Sequence, residues 1–373
     1  KLKKDPENIN LKYEVERLNT QQMVIKILIN SCYGYMGNKN APIGDDDIAA
    51  SVTLTGQAVI KYSNECLKNF IRNEVGSENI SEHNLEECIV YNDTDSSYIS
   101  IEPLIKNGVK FWEDQSKGLI HQETYDKIQE IEDCLNDDIT VWAKKALLTD
   151  DPRFVFKREM IADVATFLQK KRYVMHILDD EGIKENKFKY TGVEVVRTTM
   201  PNAIKPYAKS IIETMLTTQD LGKTNKIFNE AYETFKTLSP EEISFVMGIK
   251  GYEKHAVQCR EWQTVKGMPV HAKSAYYYNQ ILEKLGTGNK YESISSGDKV
   301  RFMYIETPNK YGLQSMGFKY EWPSEFNELF KIDYEKMFDK ILFQSIARFY
   351  DSVGWSIRKP SENVQTELFD LFA

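Results

Sequence analysis

The sequence predicts an α+β fold, on three observations: long proline-free helical patterns near its start, two short β runs around an Asn/Asp-rich turn, and amphipathic helices after Pro201. Residues 12–37 place Val15, Leu18, Gln22, Ile25 and Ile29 at spacings of three and four, and Gly34 and Gly37 are expected to stop this helix. A second helix is predicted over 49–72, where good helix formers run without proline. Cys88–Tyr91 and Ser97–Ile101, separated by Asn92-Asp93-Thr94-Asp95-Ser96, read as a β-hairpin. Residues 121–148 read as helix. Phe154–Phe156, Tyr173–Met175 and Val193–Val196 read as further strands of the same sheet. Helices are then expected near 202–216, 225–237, 274–285 and 333–352, with a strand at Val300–Ile305, forming a second, mainly helical domain.

The chain has 373 residues, enough for two or three domains at roughly 150 residues each. Apolar residues at 41% and charged residues at 28% exclude a disordered tail and a membrane bundle. Lys and Arg total 48 against 56 Asp and Glu, a net charge of −8, which excludes a uniformly basic coat for nucleic acid but leaves room for a local basic stripe. The five cysteines show no C-x-x-C spacing and suggest neither a disulfide framework nor a thiolate zinc site; a reducing, cytosolic setting fits. The opening residues carry no hydrophobic signal core. The first residue is not Met, so a fragment or one half of a larger assembly is an open expectation.

Three constellations carry candidate chemistry. In Tyr91-Asn92-Asp93-Thr94-Asp95-Ser96, two carboxylates meet at a tight turn with no His or Cys nearby, a donor set suited to Mg²⁺ and substrate phosphates. Asn and Asp are also ordinary turn residues, so a solvated acidic turn is the competing reading. Lys26, Asn30 and Tyr33, followed by Gly34, align an ammonium, an amide and an aromatic ring on one helix face. A triphosphate could bind the cation and a base pair could stack on the ring; a solvated lysine beside a buried tyrosine is the plainer alternative. Lys170-Lys171-Arg172-Tyr173, with Lys157-Arg158-Glu159 upstream, suits phosphate contacts, or else marks a charged strand end in solvent.

In order and spacing these three motifs resemble the family B DNA polymerases, nearly end to end. Asn30-Ser31-Cys32-Tyr33-Gly34 after Lys26 resembles the fingers-helix motif, the Asp93/Asp95 turn the palm carboxylate hairpin, and Lys170–Tyr173 the K-K-R-Y element. Gly267-Met268-Pro269-Val270-His271, followed by Tyr278-Asn279, and the Leu-Phe-Asp-Leu-Phe terminus are most similar to the T-even-like bacteriophage replicative polymerases. The resemblance implies 1–39 as the C-terminal fingers helix, 40–197 as part of the palm, 198–362 as thumb and 363–373 as a clamp-binding tail. It implies that Asp93 and Asp95 hold two Mg²⁺ ions for nucleotidyl transfer from a dNTP to a primer 3′-hydroxyl, with Glu159 a nearby acidic position. Lys26, Asn30, Tyr33 and Gly34 would meet the incoming nucleotide. Lys170, Lys171, Arg172, Tyr173, His271 and Lys273 would meet primer–template DNA. Gln365, Leu368, Phe369, Leu371 and Phe372 resemble a sliding-clamp peptide, against the alternative that they fold back on the thumb. The implied setting is the cytoplasm of an infected bacterial host.

Departures are Asn92, where the family more often has a small residue, and Cys32 and Tyr35 beside the fingers stripe. Nothing resembles the upstream D-x-x-S-L-Y-P-S carboxylate motif, the first fingers helix or the 3′-5′ exonuclease region. The resemblance therefore implies the C-terminal part of a polymerase, from a split gene or a truncated one, inactive alone and completed by an N-terminal polypeptide. Two other classes stand beside it. One is a non-catalytic DNA-holding and clamp-tethering subunit. The other is a DxD glycosyltransferase, which would need a nucleotide-binding βαβ region ahead of the hairpin, where two helices are predicted instead.

Overall fold

The computed structural model describes residues 8–197 and 200–359 and is mixed helix and antiparallel sheet, the predicted α+β class. The chain divides into two compact units, 1–159 and 160–373.

The first unit begins with α1 (Ile9–Met36), N-capped by Asn8, and α2 (Asp46–Val75), N-capped by Asp45, whose carboxylate accepts from the backbone of Asp47 and Ile48. Gly34 lies inside α1 and does not stop it; the helix ends at Met36, with Gly37 as its cap. One glycine costs only about 1 kcal/mol inside a helix, too little to end this one. Then come α3 (Glu82–Cys88), β1 (Ile89–Asp93), β2 (Ser96–Ile99), α4 (Glu102–Lys106), β3 (Trp112–Asp114), β4 (Leu119–Ile120) and α5 (Gln122–Ala146). The core joins Cys66, Leu67 and Ile71 of α2 with Leu85 of α3, Leu104 of α4, and Ile131, Leu135 and Ile139 of α5. Tyr62 and Trp142 stack across α2 and α5 with ring centroids 4.9 Å apart. Lys68 is buried yet stays ionised through Glu65 and Glu86, each at 2.6 Å, and burial pushes the Cys66 thiol up to about 11.

Phe154–Phe156 is not a strand. Both rings pack on the core, and the side-chain amide of Asn136 on α5 accepts from the Phe156 N–H (2.7 Å) and donates to its carbonyl (2.8 Å). One amide side chain thus supplies the hydrogen bonds a neighbouring strand would have made.

The second unit opens with a three-stranded antiparallel meander, β5 (Met160–Gln169), β6 (Arg172–Asp180) and β7 (Ile183–Thr191). This sheet is separate from the two-stranded β1–β2 hairpin, so the expectation of one shared sheet is corrected. Val193–Val196 is not a strand either. Glu194–Val196 forms a 3₁₀ turn, and Val193 and Val195 are fully buried. A short apolar run reads the same whether it is buried as strand or as turn.

The rest comprises α6 (Lys205–Thr218), α7 (Leu221–Phe235), α8 (Pro240–Ile243), β8 (Phe245–Gly248), α9 (Tyr252–Ala256), α10 (Val270–Leu285), β9 (Lys299–Tyr304), β10 (Ser315–Phe318), α11 (Phe326–Leu329), α12 (Tyr334–Phe338) and α13 (Gln344–Ser352). The single helix expected over 333–352 is broken by a π turn at Asp339–Phe343 between α12 and α13. Strands β10, β9 and β8 form a second antiparallel sheet in that order. Helix α10 lies against it through a buried Ser274–Ser315 hydrogen bond of 2.8 Å. Helix α13 packs on β5, where the Thr166 and Ser352 hydroxyls meet at 3.0 Å.

Candidate active site

The β1–β2 hairpin closes on Asp93-Thr94-Asp95-Ser96, with Asp93 paired to Ser96, Asn92 to Ser97 and Tyr91 to Tyr98. Thr94 has φ +56° and the Asp95 N–H donates to the Asp93 carbonyl at 2.6 Å, so Thr94 sits at the centre of a tight γ-turn. A β-branched residue rarely adopts positive φ. The strain is held by local bonds: the Thr94 hydroxyl donates to Asp93 Oδ1 (3.2 Å) and the Ser96 hydroxyl to the Asp93 carbonyl (3.1 Å). The turn leaves Asp95 exposed and Asp93 half-buried.

Strand alternation puts Asp93 on one face with Tyr91, whose ring lies 5.5 Å from that of Tyr98, and puts Asn92 and Ser97 on the other. That second face turns to α2, where the Ser97 hydroxyl donates to Asn64 Oδ1 at 3.3 Å. Asn92 Oδ1 is buried there without a hydrogen-bond partner. An unsatisfied buried acceptor costs about 1 to 3 kcal/mol, so Asn92→Ala is expected to raise the thermal midpoint of unfolding. A lower midpoint would show that the amide contributes more by packing than it loses by desolvation.

On α1, Lys26, Asn30 and Tyr33 fall within about 60° of one another around the helix axis, and all three are exposed, Tyr33 by 39%. No side chain of α1 is buried, and a Cβ built on Gly34 would meet no atom within 4 Å, so the backbone at Gly34 is open to close approach. The apolar residues beside the stripe, among them Ile25, Leu28 and Ile29, are exposed as well. Helix α2 packs on α1 near its own start, where a Cβ on Gly37 would lie 3.7 Å from Ala49. It reaches the hairpin at Asn64, roughly 22 Å further along at 1.5 Å per residue. The lysine stripe and the carboxylate turn are therefore tied to one helix.

In the second unit, Lys170 and Lys171 form the exposed two-residue turn between β5 and β6, with Lys171 at φ +60°. Arg172 starts β6 and donates to Glu194 Oε1 at 2.6 Å. Tyr173 is only 5% exposed, its ring 5.1 Å from that of Phe167, so it supports the turn by packing while its three neighbours line the surface.

Residues 1–144 match the family described as DNA polymerase family B. The DNA-directed DNA polymerase of Enterobacteria phage T4 is 24% identical over 90% of this chain, and that of Escherichia phage RB69 is 23% identical over 95%. A DNA polymerase of Pyramimonas orientalis virus is 24% identical over 92%. The likeness to T4-like family B DNA polymerases thus runs over nearly the whole chain. The chain spans 37%, 38% and 25% of the length of these three relatives.

The likeness raises the question whether the donors at the hairpin suit Mg²⁺. Asp93 and Asp95 offer hard carboxylate oxygens, with the Thr94 and Ser96 hydroxyls beside them, which fits Mg²⁺. Among the described residues no three His, Cys, Asp or Glu side chains gather into a metal-holding group, so Glu159 does not join the pair. A Mg²⁺ ion held by this pair would need further ligands from substrate phosphate, water or another carboxylate.

His271 and Lys273 stand in the first turn of α10, both half-buried. Burial pushes the His271 imidazole below its ordinary 6.5, so at neutral pH it is uncharged. The unfolded chain then binds more protons than the folded one as pH falls through about 6.5, and acidification there must destabilise the fold. Unfolding midpoints measured from pH 7.5 to 5 should fall less steeply for His271→Gln than for the wild-type chain. Equal slopes would remove His271 from the titration. The clamp-peptide residues Gln365, Leu368, Phe369, Leu371 and Phe372 lie outside the described residues. Asn64 and Glu194, which hold the hairpin and Arg172, were not legible in advance, since each meets its partner across more than twenty residues of sequence and no local spacing marks it.

Proposed function

We propose that this chain takes part in template-directed DNA synthesis, as the portion of a family B polymerase holding a fingers helix (1–39), part of the palm (40–197), the thumb (198–362) and a clamp-binding tail (363–373). The observation that carries the reading is the γ-turn at Thr94, which holds Asp93 and Asp95 together at the tip of a hairpin braced by α2. Asp93 and Asp95 would hold divalent cations, two Mg²⁺ ions by family resemblance, whose charge would activate a primer 3′-hydroxyl and offset the leaving pyrophosphate. The chain's own residues bind and orient. Lys26 offers its ammonium to the triphosphate of an incoming dNTP, Asn30 supports the same face, and Tyr33 with Gly34 presents a ring to the nascent base pair. Lys170, Lys171 and Arg172 neutralise phosphates of the primer–template duplex, Tyr173 braces their turn, and His271 and Lys273 add contacts from α10. The terminal Gln365, Leu368, Phe369, Leu371 and Phe372 dock on a sliding clamp, and the work is done in the cytoplasm of an infected bacterial host.

Two features support a partner polypeptide that completes the site. The carboxylate pair lacks a third ligand among the described residues, and the apolar residues of α1 and of the start of α2, Ile48, Val52 and Leu54 included, are exposed. Losing one well-placed electrostatic partner costs about 2.7 to 4 kcal/mol of transition-state stabilisation, so the chain alone should be inactive. Co-expression with a polypeptide bearing the remaining polymerase and exonuclease regions is expected to yield a complex that extends a primer. Purified complex without extension would sink the catalytic reading and leave the DNA-holding and clamp-tethering one.

A further inference from the structure

Three arginines from separate elements of the second unit converge on a single carboxylate oxygen. Glu194 Oε1 lies 2.6 Å from Arg172 Nη1 at the start of β6, 3.4 Å from Arg348 Nη1 on α13, and 3.8 Å from Arg197 Nη2 just past the 3₁₀ turn. Three positive charges against one negative leave a local excess of two. The guanidiniums hold far more N–H donors than one carboxylate can accept, and the Arg197 and Arg348 side chains are 46% and 55% exposed. Unused donors therefore face solvent as planar forks, the geometry that suits phosphate. The Lys170–Lys171 turn adjoins this group, because Gly192 approaches Lys171 so closely that a Cβ there would lie 2.1 Å from its carbonyl oxygen.

We propose that Arg172, Arg197 and Arg348, gathered by Glu194, form a clamp for backbone phosphates of duplex DNA. Glu194 is the positioning residue: it holds the guanidiniums together against their repulsion and leaves their outer edges for the ligand. Arg197 and Arg348 extend the basic element at Lys170–Arg172 to two residues that no local spacing connects to it. The inference rests on the DNA-synthesis reading above.

The test uses the full chain and a fluorescent primer–template duplex titrated across a salt series. For R197A/R348A, affinity at low salt should fall about tenfold per arginine, as for loss of a charge-assisted hydrogen bond. The log–log salt slope should shrink by about 0.9 per lost phosphate contact. R197K/R348K should keep most of the slope while losing part of the affinity, because the charge stays and the fork goes. E194Q, which removes the charge that holds the guanidiniums together, should bind duplex more weakly at an unchanged thermal midpoint. The clamp is overturned if R197A/R348A matches the wild-type slope, if E194Q binds as tightly as the wild-type chain or more tightly, or if the arginine variants lose affinity for a dNTP while keeping it for duplex. A wild-type chain with no salt-dependent duplex binding would overturn the DNA-synthesis reading, and the clamp with it.

Discussion

Asp95→Asn, assayed in the proposed complex with an N-terminal polypeptide, is expected to lower the rate of nucleotide addition by about 10²- to 10³-fold, the usual loss when one preorganised electrostatic group is removed. The substitution keeps the size of the side chain and removes its charge at an exposed turn position, so the fold should be undisturbed. Affinity for primer–template should hold or tighten slightly, because a negative charge leaves a surface proposed to lie near phosphates. The rate loss should be partly recovered at higher Mg²⁺ if the carboxylate is a ligand. Asp93→Asn is expected to match it in rate and to cost stability as well, since Asp93 is half-buried and accepts from the Thr94 hydroxyl. Single-turnover extension separates the outcomes: an unchanged rate for Asp95→Asn would end the assigned role, and a loss of duplex affinity alone would make the turn a binding element.

How much of this was legible beforehand depends on whether the signal was local. The Asp93–Asp95 turn could be read because β runs flank residues that punctuate chains, and the α1 stripe because the 3.6-residue period needs no tertiary information. Phe154–Phe156 reads as a strand because alternation cannot tell a partner strand from the Asn136 amide that replaces one. Strand β7 carries no strand signal: Lys184, Lys187 and Lys189 make it look like solvated loop, whereas charge is a common way to protect the edge of a sheet. The π turn between α12 and α13 leaves the apolar period almost intact and so reads as one helix. Arg348 and Glu194 meet across most of the second unit's sequence, and only folding brings them together.

Gly192→Ala is expected to be the most damaging single-methyl change in the second unit. Gly192 has φ +63°, where an L-residue is disfavoured by about 1 to 2 kcal/mol. The added Cβ would also lie 2.1 Å from the Lys171 carbonyl oxygen, a backbone atom that cannot swing aside. Relief requires the β5–β6 turn and the segment entering Val193 to move apart, an overpacking strain of about 1 to 3 kcal/mol. The two effects together predict a loss of roughly 2 to 5 kcal/mol, a fall on the order of 10 °C in the thermal midpoint. The displacement would also draw Arg172, which follows the turn, away from Glu194, so duplex affinity should drop in a chain that is still folded below its new midpoint. Circular dichroism against temperature, followed by duplex titration at a temperature where both proteins are native, measures the two effects separately. If the midpoint falls and affinity does not, the turn and the arginine group act independently on DNA. If neither changes, the close approach at Gly192 does not persist in solution.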